Sequence, residues 1–315
     1  MNAMTDNPVR EFANAASRDA SAIALSVLIP FHRDDPADLV RALAEQIGPA
    51  GDVEIVLHDD GEPDRELNAA LERILAAMSQ PARLLTSARN RGRSAGRNLL
   101  AAQARGAWLL YLDADMAPAS PDFLAAYRQC ASEPQVDAAF GGYATAWPAA
   151  CEHHLHAALA RSSDQHDAAA RTAIGATAYC SSNLLVRAEV MRQIPYDTGF
   201  SGWGWEDVDW AVRAAERFHL IHIDNPALHG GLQEVDVLLE KFRIGAVNYR
   251  RLLDRHPPLR DLPGARVARA LARLPLQSRL RGLWAGFSRS RILPLKLRVT
   301  ALKLWRASWT AEALR

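Results

Sequence analysis

Residues 108 to 115 read Trp-Leu-Leu-Tyr-Leu-Asp-Ala-Asp, an apolar run that ends in two carboxylates two positions apart. Positions i and i+2 of an extended chain share a side. Asp113 and Asp115 can therefore face one hard cation, for which carboxylate oxygens are good ligands. A second pair, Asp59-Asp60, ends the run Val53-Glu-Ile-Val-Leu-His and precedes Gly61. Carboxylates placed there can accept hydrogen bonds from a nucleobase N–H or from ribose hydroxyls. Between the pairs, Ala88 to Asn98 carries Arg89, Arg91, Arg93 and Arg97 with Gly92 and Gly96. Guanidinium groups suit phosphate oxygens, and the glycines allow close backbone approach. A third acidic segment follows two glycines and two tryptophans, in Gly202-Trp-Gly-Trp-Glu-Asp-Val-Asp209. Trp203 and Trp205 offer flat apolar faces that suit the C–H faces of a sugar, and Asp207 or Glu206 can take a proton. His229, between an apolar run and Gly230-Gly231, is an imidazole that can ligate a metal.

Each feature alone has a plainer reading. An Asp-x-Asp is often a turn or helix cap, acids in a first helical turn are favoured by the helix dipole, and arginines before a helix can simply be solvated. The elements that carry these residues decide between the readings. Leu25-Ser-Val-Leu-Ile-Pro30, Val53 to Asp60 and Trp108 to Leu112 are apolar runs of strand length. Asp35 to Gln46 places apolar residues at helical spacing, with Leu39, Val40 and Leu43 in phase with Ile47. Asp64 to Met78 repeats this with Leu67, Leu71, Ile74 and Leu75, and Ala95 to Ala104 is a further short helix. The order is strand, helix, strand, helix, short segment, helix, strand. Such alternation implies a parallel sheet covered by helices. The acidic clusters then fall at strand C-termini, where open α/β sheets bind ligands.

These pieces, in this order over roughly 200 residues, resemble family 2 glycosyltransferases of the GT-A fold. The matching segments are Ile29-Pro30, Asp59-Asp60-Gly61, Asn90-Arg91-Gly92 with Gly96-Arg97-Asn98, Asp113-Ala114-Asp115, and Gly202 to Asp209. The last is similar to the Trp-Gly-Gly-Glu-Asp stretch of galactosyltransferase-type enzymes. The resemblance implies an α/β fold with a mostly parallel central sheet, flanking helices and a C-terminal helical extension. It implies a donor site in which Pro30, Asp59, Asp60, Arg93, Arg97 and Asp113 contact the nucleotide. Asp115, with Asp113 and His229, would hold a divalent metal. A histidine ligand favours Mn²⁺ over Mg²⁺. Asp207 would be the general base, with Glu206 holding the acceptor or a donor hydroxyl. Trp203, Gly204, Trp205 and Asn183 would line the acceptor or sugar side. The reaction implied is inverting transfer from a nucleotide-diphospho-sugar, UDP-sugar first by family frequency, to a saccharide or lipid-linked acceptor. The expected division is residues 23–255 for catalysis, with a nucleotide half at 23–116 and an acceptor half at 117–255. Residues 256–315 form a basic amphipathic extension.

Composition is consistent with this. The chain has 315 residues and a formal net charge of +1. That charge is uneven: Ala265 to Arg315 holds 12 Lys/Arg against Glu312 alone, which makes the segment 11 positive and the preceding 264 residues 10 negative. Basic residues interleaved with Leu and Trp suit an interfacial helix on anionic lipid. Packing of the same helices on the catalytic domain is the alternative. No groove-reading motif accompanies the basic residues, so nucleic acid is not expected as a partner. No uninterrupted apolar stretch reaches spanning length. Residues 1–22 are polar, lack the apolar core of a signal peptide, and are expected to be disordered. Cys130, Cys151 and Cys180 fit free thiols in a reducing compartment. Together these lead to the expectation of a cytoplasmic protein, with peripheral attachment to the inner face of the membrane as one of the two readings of the basic extension. His153, His154, His156 and His166 lie in an Ala-rich stretch and are not read as a metal cluster. Three other functions remain open from sequence. They are a retaining transferase of the same fold, a nucleotidyltransferase and a non-catalytic scaffold.

Overall fold

The computed structural model describes residues 8–49, 51–61 and 64–315. They group into two compact units interleaved along the chain. The first comprises Met1–Ala144, His166–Thr198 and Trp210–Gly230; the second comprises Thr145–Gln165, Gly199–Asp209 and Gly231–Arg315.

The first unit is built on strands β1 Val9–Ala13, β2 Leu25–Phe31, β3 Val53–Asp59, β4 Ala82–Ser87 and β5 Trp108–Leu112. The helices between them are α1 Ala15–Asp19, α2 Ala37–Ile47, α3 Arg65–Ala77 and α4 Arg93–Gln103. Next come β6 Met116–Pro118, α5 Phe123–Ser132, β7 Ala138–Phe140 and β8 Tyr143–Ala144. In the second unit α6 spans His154–Ser163. Back in the first are α7 Ala168–Ile174, β9 Asn183–Arg187 and α8 Ala188–Gln193. Helix α9, Glu206–Ala215, leads to β10 Leu220–His222 and β11 Ala227–His229.

The main sheet has the order β1-β4-β3-β2-β5-β9-β7-β10. Strands β4, β3, β2 and β5 run parallel, while β9 lies antiparallel between β5 and β7. Alternation along these strands feeds two buried layers. Val27, Ile29, Ile55, Leu57 and Leu110 pack on one face, and Leu28, Val56, Leu109 and Tyr111 on the other. A sheet apolar on both faces needs helices on both. Helix α2 buries Leu39, Val40, Leu43 and Ile47. Helix α3 starts where Asp64 accepts the backbone N–H groups of Glu66 and Leu67 at 2.9 and 3.1 Å, an N-cap.

Two expectations need correction. The short segment before α4 is a strand, β4, paired with both β1 and β3. Arg83, its second residue, hides the pattern. Its guanidinium is buried because Glu54, fully enclosed in β3, accepts from Arg83, Arg105 and the Ser26 hydroxyl. A buried charge paired in this way can sit in a core strand. Residues 8–22, expected to be disordered, form β1 and α1 instead. Strand β1 caps the sheet edge against β4, and the buried Asn14 amide bonds Ser17 N, Ala82 N and the carbonyls of Leu75 and Gln80. The rest of that expectation, residues 1–7, lies outside the described residues.

The second unit is helical. α10 Val235–Arg255, α11 Pro263–Ala272, α12 Arg281–Arg289 and α13 Leu295–Ala313 join α6. Leu155, Leu159, Leu238, Leu239, Phe242, Val299 and Leu302 form their core. Among the described residues no helix is long and apolar enough to cross a membrane, and all three cysteines are free thiols.

Candidate active site

Strand order opens a crevice in the first unit. From β2 the chain winds outward to β3 and β4, then returns to the opposite side of β2 as β5. The carboxyl ends of β2 and β5 thus flank a topological switch point, the position where such sheets open a crevice. That crevice is lined by Pro30, Phe31, His32, Asp34, Asp60, Arg93, Gly96, Arg97, Asp113, Ala114 and Asp115. Gly92, with φ of 82°, caps α4, so Arg93 and the N-terminal amides of the helix belong to the same edge. A helix N-terminus with arginines suits a phosphate group.

Asp60 is anchored by the backbone N–H of Arg91 at 2.8 Å. Burial raises its pKa to about 6, although the amides of Arg91 and Gly92 pull in the opposite direction. Asp59 points elsewhere. It accepts from the Asn68 side chain at 2.6 Å and does not line the crevice. The structure therefore brings Asp60 to the pocket and uses Asp59 to hold α3 to β3. The turn after them has no room for a side chain. A Cβ on Gly61, at φ of 85°, would lie 2.0 Å from the backbone of Arg89 and Asn90. Gly61→Ala is expected to destabilise the protein by about 3 kcal/mol or more. Chemical denaturation would measure this, and an unchanged midpoint would contradict the packing described.

Arg97 donates to Asp113 at 2.9 Å and its guanidinium is nearly buried. Asp115 meets His229 Nε2 at 3.2 Å. These two residues are 114 positions apart. They meet because β11 pairs antiparallel with β6 in a second, three-stranded sheet, with His229 opposite Met116. The N–H of Gly230 also donates to the Asp115 carbonyl at 2.8 Å. Burial alone would raise the Asp115 pKa, but the hydrogen bond and charge of His229 outweigh it and leave it lowered. Among the described residues no three His, Cys, Asp or Glu side chains converge as a complete metal cage. The donor set of Asp115 and His229 fits a cation that completes its shell with phosphate oxygens and water, the usual arrangement for nucleotide-bound metals.

Asn183 does not line the crevice. It is fully buried, its Oδ1 accepts from Tyr127 at 2.7 Å, and its Nδ2 donates to the carbonyls of Gly142 and Asn225. With both ends of the amide engaged, Asn183 holds the Gly141-Gly142 turn, which corrects its expected contact with sugar.

The Trp-Gly-Trp-Glu-Asp loop belongs to the second unit. Gly202, Gly204 and Trp205 all have positive φ, at 75°, 87° and 76°. For tryptophan this is a sparsely populated region that costs about 1–3 kcal/mol. Packing over-determines it. The Trp205 ring stacks on Tyr249 at 4.2 Å, and the Arg306 guanidinium lies 4.7 Å from its centroid. Trp203 packs on Phe242 and sits against Gly245, where a Cβ would be 3.1 Å from the indole. Asn248 donates to the carbonyls of Ser201 and Gly204 at 2.8 and 3.0 Å. The two tryptophans are thus first the anchors that pin the loop to α10. Glu206 is buried and Asp207 half-buried at the start of α9. Asp209, wholly buried, accepts from His256 Nε2–H at 2.9 Å and fixes the first turn.

Several residues of these sites carried no expectation from sequence. His32 and Asp34 line the crevice, and the His32 Nδ1–H donates to the Gly61 carbonyl at 3.1 Å. Their place just past a strand end was a usable signal. Asn248, Tyr249, His256 and Arg306 had none, because only the packing of α10 and α13 gives them a role.

The sheet order, the crevice at its switch point and the helical C-terminal region define a glycosyltransferase of the GT-A class. The chain belongs to glycosyl transferase family 2, whose model matches residues 26–193. Among solved structures it is similar to the mannosyltransferase PcManGT from Pyrobaculum calidifontis in complex with GDP-Man and Mn²⁺, with a TM-score of 0.61 and 16% identity. That match covers 91% of this chain and 86% of the other. S. aureus TarS 1-349 in complex with UDP-GlcNAc matches with a TM-score of 0.49 at 17% identity, covering 89% and 79%. At 16% identity the likeness to the Pyrobaculum enzyme is one of fold. No curated protein matches the chain.

Proposed function

We propose that the protein is a metal-dependent, inverting glycosyltransferase that moves a sugar from a nucleotide-diphospho-sugar to a hydroxyl of a saccharide or lipid-linked acceptor. The observation that carries this reading is the convergence of Asp60, Arg97, Asp113 and Asp115 at the switch-point crevice, with His229 3.2 Å from Asp115. Residues 23–116 serve the nucleotide and 117–255 the acceptor. Asp60 accepts from the nucleobase or ribose, while Arg93 and Arg97 meet the diphosphate. Pro30 packs beside the nucleotide and Asp113 reaches the ribose. Asp115 and His229 hold the metal, Mn²⁺ in preference to Mg²⁺. When bound, the metal neutralises charge on the departing diphosphate. Asp207 takes the proton of the acceptor hydroxyl, Glu206 orients that hydroxyl, and the Gly202 to Asp209 segment acts as the counterpart of the galactosyltransferase-type motif. UDP is the first choice of nucleotide. GDP is the second, since the Pyrobaculum enzyme was solved with GDP-Man. The protein works at the cytoplasmic face of the membrane, which residues 265–315 meet.

The test is NMR of the product formed from an α-linked donor. A β-linked product is expected. An α-linked product would replace inversion by retention, and absence of nucleotide release with every donor would overturn the transferase reading.

The pKa of Asp60 gives a second check. Its folded value, about 6, lies above the unfolded 3.8. The folded state therefore holds this proton more tightly, and its stability falls as pH rises from about 4 to 6 and stays lower above that. The cost is on the order of 3 kcal/mol. Asp60→Asn is expected to raise the melting temperature at neutral pH while weakening nucleotide binding about tenfold. In the native enzyme, donor affinity should fall as pH drops through 6. A lower melting temperature with intact binding would remove Asp60 from the donor site.

A further inference from the structure

Helix α12 buries Trp284, Ala285 and Ser288 within the second unit. Its other face carries Leu283 and Phe287, 49% and 44% exposed, and the chain entering it exposes Leu280 at 44% and Leu276 at 58%. Leu276 and Leu280 bracket the 3-10 turn Gln277–Leu280 that leads into α12, so four exposed apolar side chains fall within twelve residues where a surface segment ordinarily carries polar ones. Leu276 has φ of 60° and ψ of 14°, left-handed backbone that side chains with a Cβ avoid. Strained backbone here ends in a side chain left in water, so the packing of Leu276 itself does not explain its conformation. Ile292, in the loop before α13, is 95% exposed. Arg273, Arg279 and Arg291 are exposed around this face. Glu312, the single acid of residues 265–315, is paired with Arg281, and Asp236 of α10 is paired with Arg289.

We propose that this face enters an anionic lipid surface. Leu276, Leu280, Leu283, Phe287 and Ile292 reach the boundary between headgroups and acyl chains, and the surrounding arginines meet lipid phosphates. This rests on the membrane location given above and adds to it the face that inserts. The charge pattern selects this occupant. A second copy of the chain across a two-fold axis would set arginines against arginines. A nucleic acid would satisfy the arginines and leave the leucines in water. A lipid interface satisfies both, because apolar burial and attraction to anionic headgroups act together there.

Co-sedimentation of the full chain with phosphatidylcholine vesicles, with and without phosphatidylglycerol, tests this. Binding is expected only to the anionic vesicles and is expected to weaken with salt. Leu280→Asp with Leu283→Asp should reduce it about tenfold or more, while Ile174→Asp, at an exposed apolar site in the other unit, leaves it unchanged. Nucleotide affinity, measured by calorimetry on the same samples, reports the donor site separately and should not move. Should the double variant lose nucleotide binding through misfolding, Ile292→Asp carries the same test, since that side chain has no packing to lose. Binding undiminished in these variants overturns the inserting face while leaving the membrane location standing. No binding of the native chain to anionic vesicles overturns both. A vesicle-independent dimer abolished by the same variants would assign the face to a second copy.

Discussion

Asp207→Asn is expected to lower the rate of sugar transfer about 1,000-fold while nucleotide affinity stays within twofold of native. A factor of that size corresponds to about 4 kcal/mol of barrier. The substitution keeps shape and removes basicity. Asp207 Oδ1 accepts the backbone N–H of Val208 at 2.9 Å, a bond an asparagine oxygen can also make. The start of α9 does not depend on Asp207 alone, because the wholly buried Asp209 is held by His256. Loss of rate in Asp207→Asn would thus report proton transfer rather than collapse of the loop. Steady-state kinetics with a donor and acceptor pair, alongside nucleotide titration, make the measurement. Native turnover in this variant would remove Asp207 as the base.

Asp115→Asn is expected to weaken metal-dependent donor binding about 100-fold. Asp115 faces an imidazole, with His229 Nε2 3.2 Å away. Replacing a charged oxygen ligand by an amide removes the charge that holds the cation beside a diphosphate. His229→Ala should act differently. It leaves the carboxylate, so Mg²⁺ should support activity nearly as well as Mn²⁺ once the nitrogen donor is gone. Activity titrations with each metal separate the two cases. An unchanged metal preference in His229→Ala would show that the pair is a structural hydrogen bond.

Much of the sheet was legible because its strands are apolar on both faces and its helices keep a regular apolar stripe. Leu39, Val40 and Leu43 announce α2, and Leu67, Leu71 and Leu75 announce α3. Strand β4 was not legible, since Arg83 breaks an already short run and only the buried Glu54 explains it. Strand β1 was hidden in the same way, because its pairing partner lies about 70 positions away. At the crevice, adjacent aspartates could not be told apart by type. Asp59 is still within β3 and turns to Asn68, whereas Asp60 lies past the strand end and turns to the pocket. Asn183 looked like a sugar contact because it is polar beside an apolar run. Its partners, Tyr127, Gly142 and Asn225, are dispersed in sequence, so its structural role became visible only in the fold. The tryptophans of the Gly202 to Asp209 loop stood out in sequence by type and spacing. Their packing on Phe242, Tyr249 and Arg306 depends on helices whose mutual register sequence does not encode locally.

The first measurement is calorimetric titration of the purified protein with UDP, GDP, TDP and CMP, each with and without Mn²⁺. The expected result is binding of one nucleoside diphosphate that requires Mn²⁺ and disappears in Asp115→Asn. Binding that is equally strong without metal would contradict the role of Asp115 and His229. Absence of binding by all four would contradict the donor site itself.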